Sequence, residues 1–209
     1  RASPDSMSRL AVACILERYY NFQLESTLQS TGFEDCLDEL KFIKESTPTE
    51  DVVASGLSPA DRAWGAQHVS VWRQCAEGSA PVLIFQDDVA FSSSDVFSAA
   101  TAMVAAVENH GYARDSHAVL LMLDSAESEP SHAAIAVANG STLVSVSSAS
   151  QLTAYVLWPA TARLLLEALP LDVPMPVFIA RHIAERKLIS FMASPALTVA
   201  APVSQGSQP

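Results

Sequence analysis

Apolar residues in this chain gather in short unbroken runs. Leu10 to Leu16, Val82 to Phe85, Val119 to Leu123 and Ala154 to Leu157 are apolar or small almost throughout, and Leu40 to Ile43, broken by Lys41, is a candidate for a further strand. Runs of this length, without polar alternation, predict strands buried on both faces of a sheet. Between them lie stretches with helical spacing. Phe22, Leu24 and Leu28 fit a helix closed by Gly32. Ser58-Pro59-Ala60-Asp61 reads as a helix start: a hydroxyl cap, proline in the first turn, then an acid. That helix runs to Gly78, and its Trp64, His68 and Trp72, four residues apart, share one face. Further helices are predicted over 96–107, 159–169 and 176–186. Residues 45–56 and 125–131 read as loops. Residues 133–138 and 142–146, joined by Asn139-Gly140, predict a hairpin with a type I′ turn. Residues 189–191 and 197–199 read as short extended pieces. Alternating strands and helices predict an α/β sandwich on a mostly parallel sheet. One domain over residues 1–201 and a disordered tail over 202–209 are expected, the tail from its Pro/Ser/Gln/Gly composition.

The strand at 82–85 changes the picture, because it runs straight into Gln86, Asp87 and Asp88. Two neighbouring acids at the end of a buried strand repel each other and lose hydration unless a cation joins them. In open α/β sheets the carboxyl ends of the strands are also where ligands bind. The pattern therefore points to a hard divalent ion held by carboxylate and shared with a substrate phosphate. A plainer reading has Asp87 and Asp88 open a solvated loop before the next helix.

Composition narrows the partners. The chain has 209 residues, 49% of them hydrophobic, which suits a packed core. Its formal charge of −11 argues against nucleic acid and anionic membrane as partners. An anionic substrate must then be met by a metal or by a few placed arginines. Cys14, Cys36 and Cys75 are far apart and form no zinc-ligand spacing. The histidines at 110, 117, 132 and 182 are likewise dispersed. No apolar run reaches the ~18 residues of a membrane span. The chain begins at Arg1 without an initiator Met, as an excised segment would.

Four blocks, in order, carry a resemblance. They are Ile15-Leu16-Glu17-Arg18; Gly65-Ala66-Gln67-His68 with Trp72; Val82 to Asp88; and Thr153 to Leu157 followed by Ala162 to Pro170. Together they resemble glycosyltransferase family 25, which includes lipopolysaccharide glycosyltransferases and procollagen galactosyltransferases. The resemblance implies a GT-A-like, Rossmann-type fold and a nucleotide-diphosphate sugar donor. It also implies a glycan or protein hydroxyl acceptor and a divalent metal, Mn2+ in most members. Bacterial members work on the cytoplasmic side and animal ones in the endoplasmic reticulum lumen; no residue here decides between the two.

On this resemblance, Asp88 with Asp87 would hold the metal. Gln86 or Asp87 would contact the ribose, Arg18 the nucleotide or diphosphate, and His68 the substrate. The chain departs from the family where Gln86 replaces a glutamate, Gln67 a serine and Pro176 an aspartate. With Pro176 in place of the family's carboxylate, Asp172 or Asp124 would have to serve as the base. Each residue also has a purely structural reading. His68, Trp64 and Trp72 would pack in the core, Arg18 would be a surface charge, and Asp172, between Pro170 and Pro174, would shape a turn. Ser92 to Asp95 reads as helix capping. The substitutions keep open a second reading, a catalytically degenerate binding or scaffold domain.

Overall fold

The computed structural model describes residues 10–15, 41–43, 48–86, 89–112, 118–124, 130–148 and 152–200. Ten strands and four helices lie in this part of the chain. They run β1 (Ala11–Ile15), β2 (Lys41–Ile43), α1 (Pro59–Glu77), β3 (Val82–Gln86), β4 (Val89–Phe91), α2 (Val96–Asn109) and β5 (Val119–Met122). There follow β6 (Pro130–Ala136), β7 (Thr142–Val146), β8 (Ala154–Leu157), α3 (Pro159–Glu167), α4 (Met175–Ala184), β9 (Ile189–Ser194) and β10 (Thr198–Ala200). The helix expected to end at Gly32 falls outside the described residues, as do Cys36 and the tail.

Eight strands form one sheet in the order β2-β1-β3-β8-β5-β9-β7-β6, and β10 pairs with β4 in a separate ribbon. The α/β class is as expected, but the sheet is mixed. Three junctions are parallel and four antiparallel. The reason is β8, which is inserted antiparallel between β3 and β5, together with the β6–β7 hairpin at one edge. An apolar run fixes burial on two faces, not direction, so the sequence carried no sign of the reversal.

The sheet is buried on both sides, and side chains alternate between two cores. Val12, Cys14, Leu83, Phe85, Leu121, Leu123 and Val156 face α2. Ala13, Ile15, Ile84, Leu120, Met122, Tyr155 and Leu157 face α1, α3 and α4. Helix α1 starts as its sequence indicates: Ser58 Oγ accepts the Asp61 N–H at 3.1 Å. Helix α2 does not. Asp95 caps it without a side-chain bond, and the Ser92 hydroxyl instead donates to the Leu197 carbonyl at 2.9 Å. The hairpin turn also differs from expectation. Gly140 has φ +85°, but Asn139 stays out of the left-handed region, which a type I′ turn requires at both positions. Gly140 N–H bonds the Val137 carbonyl at 3.0 Å, leaving a longer loop. No helix among the described residues is long and apolar enough to cross a membrane.

Gly65 lets α1 lie close to the chain that follows α3. A Cβ there would stand 2.8 Å from Leu171 Cδ1 and 3.5 Å from Val53 Cγ2. Val53 and Leu171 are fully buried and joined by a parallel bridge, so the Leu171 side chain would have to shift within packed surroundings. Gly65→Val is therefore expected to cost about 1–3 kcal/mol by overpacking. A urea titration should show a lower midpoint with an unchanged slope; a wild-type midpoint would contradict the contact.

Candidate functional site

The order of the strands singles out one place on the sheet. From β1 the chain moves outward to β2, then returns to the other side of β1 as β3. Such a reversal opens a crevice outside the carboxyl ends of the two strands. Here those ends are Ile15 and Gln86, which are register partners. The segments that leave them in sequence carry Glu17-Arg18 and Asp87-Asp88. Arg18, Asp87 and Asp88 themselves lie outside the described residues.

A polar row continues along the same rim. Phe85, Leu123, Ala154 and Leu197 face the α2 core. Alternation therefore sends Gln86, Asp124, Thr153 and Thr198 to the opposite face. Gln86 N–H donates to the Thr153 carbonyl at 3.0 Å, and its Nε2 donates to the Leu152 carbonyl at 3.3 Å. Asp124 Oδ2 accepts both the Thr153 N–H at 2.9 Å and the Thr153 hydroxyl at 3.0 Å. Asp124 and Thr198 form a parallel bridge. Side chains as well as backbone thus tie together the carboxyl ends of β3 and β5 and the start of β8.

Two oxygens of this row have no partner among the described residues. Asp124 is 1% exposed and Thr198 0%, yet Asp124 Oδ1 and Thr198 Oγ1 make no hydrogen bond there. Burial raises the Asp124 carboxyl above the usual carboxylate range, against the Thr153 N–H and hydroxyl and the backbone N–H groups of Asp124 and Ala154, which lower it. Asp124 was foreseeable as a site residue, since an acid directly follows a buried apolar run, as at 85–88. Thr153 and Thr198 join the row with a much weaker signal. It is parity alone, a polar residue next to an inward-facing apolar one at a strand end.

His68 lies one layer below the rim. It is 0% exposed, and its Nδ1 stands 2.7 Å from the Tyr155 hydroxyl. Trp72 Nε1–H donates to the same hydroxyl at 3.1 Å. The hydroxyl has one proton to give, and Nδ1 of a neutral imidazole accepts it. That places the ring proton on Nε2, which has no partner among the described residues. Trp64 stands beside the ring, perpendicular to it, with centroids 5.1 Å apart. Burial pushes His68 down to about 3, so the ring is neutral at physiological pH. These contacts give His68 a packing and bonding role in the core.

Asp172 is placed differently again. Both of its oxygens accept from Arg181, at 2.6 and 2.9 Å, and the Arg181 guanidinium lies 5.3 Å from the Phe178 ring centroid. The bonds to Arg181 hold the Asp172 carboxyl below its usual range. A carboxylate so engaged is a weak proton acceptor. Pro176 sits in the first turn of α4, where its missing N–H costs nothing. Cys75, another buried nucleophile, donates to the Leu157 carbonyl and is pushed up to about 12 by burial, so it stays a thiol. Among the described residues no three His, Cys, Asp or Glu side chains are grouped to hold a metal.

Fold and rim together describe an α/β protein with a mixed sheet and a row of polar residues at its topological switch. No protein-family model matches the chain, and no curated protein matches its sequence.

Proposed function

We propose that this protein is a metal-assisted glycosyltransferase. It would move a hexose, glucose or galactose, from a nucleotide-diphosphate sugar to an acceptor hydroxyl on a GT-A-like fold. The observation that carries the reading is the placement of Gln86, the last residue of β3, at the switch point, with Asp87 and Asp88 next in sequence. The small β4–β10 ribbon supports it, since β4 follows the acids directly and Thr198 of β10 bridges to Asp124 on the same rim.

The donor set is carboxylate, which suits a hard divalent ion such as Mn2+. Asp87 and Asp88 would hold it, and when bound it would neutralise charge on the diphosphate leaving group. The rest falls to the chain. Arg18 would pair with the diphosphate or the nucleotide. Gln86, whose Nε2 is engaged by Leu152, would offer its carbonyl oxygen to a ribose hydroxyl. Of the two candidates for the base, Asp124 is the better, because Asp172 is committed to Arg181. A carboxyl raised toward neutrality by burial is closer to what proton abstraction needs.

The test is thermal unfolding with Mn2+ and uridine or guanosine diphosphate. At a hundredfold excess over Kd, binding adds about 2.7 kcal/mol, or a rise in Tm of roughly 5–10 °C at this chain length. Asp88→Ala should abolish the rise. A wild-type protein that shows no rise at millimolar ligand is not a nucleotide-sugar enzyme. One specific feature favours the second reading, a non-catalytic binding domain: a neutral glutamine, held to a backbone carbonyl, stands where the family carries an acid. Nucleotide binding without donor turnover would select it.

A further inference from the structure

We propose that Asp124 Oδ1 and Thr198 Oγ1 form a subsite for one hydroxyl of the transferred sugar. The proposal rests on the glycosyltransferase reading and extends it to the sugar. The two atoms belong to bridge partners at the sheet rim and face the same side, both residues lying next to inward-facing leucines, Leu123 and Leu197. Each is buried and without a partner among the described residues. Their chemistry is complementary to a hydroxyl. An ionised carboxylate oxygen only accepts, whereas a threonine hydroxyl donates or accepts. A sugar hydroxyl placed between them donates to Asp124 Oδ1 and accepts from Thr198 Oγ1.

The neighbouring bonds hold this arrangement in place. Asp124 Oδ2 is occupied twice by Thr153, which fixes the carboxylate and leaves Oδ1 as its free oxygen. A sugar hydroxyl bonded there also lies on the oxygen through which Asp124 would act as the base. Thr198 is held through its backbone, with its N–H bonded to the Leu123 carbonyl at 3.1 Å. Its partner strand β4 starts immediately after Asp87 and Asp88. Thr153, half-buried, is the exposed side of the cluster and the side from which a ring hydroxyl would enter. A site built to bond a hydroxyl discriminates strongly against a ligand or a variant that lacks one partner.

Thr198→Val is the informative change, since it removes the hydroxyl, keeps the shape and suits a strand. Thr198→Ser restores the hydroxyl and serves as the rescue. The measurement is calorimetric titration of the full chain, with Mn2+ present. The ligands are uridine and guanosine diphosphates and their glucose and galactose conjugates. Thr198→Val should weaken the preferred sugar conjugate about tenfold, leave the bare diphosphate unchanged, and recover in Thr198→Ser. If the Thr198→Val variant binds the conjugate as well as wild type does, the pair holds only water and the subsite is overturned, while the glycosyltransferase reading stands. Equal weakening of conjugate and bare diphosphate also overturns it, by moving the residue to the nucleotide. If wild type binds no diphosphate, both readings fall.

Discussion

Tyr155→Phe is expected to lower the unfolding free energy by roughly 2–5 kcal/mol, although it removes a single oxygen atom. The oxygen serves two buried partners, His68 Nδ1 and Trp72 Nε1. All three residues are 0% exposed, so water cannot replace what is lost. Each orphaned polar group costs about 1–3 kcal/mol. For a chain of this length that corresponds to a fall in Tm of roughly 5–15 °C. Equilibrium unfolding in urea measures the loss, and a change below about 1 kcal/mol would mean that the three groups do not depend on one another. Replacing all three by apolar residues of similar volume should recover much of the loss, because no polar group is then left unpaired.

The second large effect is a dependence on pH. His68 has a folded-state pKa of about 3 against an ordinary value of 6.5. Above pH 6.5 neither the folded nor the unfolded chain protonates this residue, and its contribution to stability is complete. Below that, the unfolded chain takes a proton that the folded chain refuses, so stability falls as pH falls. The slope approaches about 1.4 kcal/mol per pH unit for one proton, hence about 2 kcal/mol between pH 6.5 and roughly pH 4.5. Asp124 acts in the opposite sense. Its folded-state pKa is raised above 3.8 by burial, so the folded chain binds that proton before the unfolded chain does, and this residue by itself adds stability as pH falls toward 3.8. His68→Asn separates the two, because the amide keeps a group near Nδ1 and does not titrate. Its stability curve should be flatter than wild type by about one proton below pH 6.5. An unchanged slope would place the titration elsewhere.

Much of the architecture was legible, and the reason is local. Apolar runs mark β1, β3, β5 and β8 because burial on both faces leaves no polar position to interrupt them. The start of α1 was legible because its cap, proline and acid are neighbours in sequence. What was hidden depends on partners far apart along the chain. The antiparallel entry of β8 shows only in its pairing with β3 and β5. Strand β4 is short and owes its form to β10, which arrives about a hundred positions later. Ser92 left its expected capping role for the same reason, bonding Leu197 instead. For the site, Asp124 and Gln86 stood out as polar residues ending apolar runs, and both fall on the rim. His68 and Asp172 stood out through a resemblance and a substitution. Their surroundings, Tyr155 and Arg181, are long-range or turn-dependent contacts that no spacing encodes. Arg18, Asp87 and Asp88 lie outside the described residues, and thermal unfolding with Mn2+ and a nucleoside diphosphate tests the acidic pair through Asp88→Ala.

The late arrival of β10 bears on how the molecule is made. A ribosome delivers the acids at 87–88 with β3 and β4, but the strand that flanks β4 and the hydroxyl opposite Asp124 emerge only with residue 198. Strand β8, which bridges the two halves of the rim, is also synthesised after both strands it joins. The crevice edge is therefore completed only once all of these segments have left the ribosome. A nascent chain stalled before residue 198 would carry β4 without its only partner strand among the described residues.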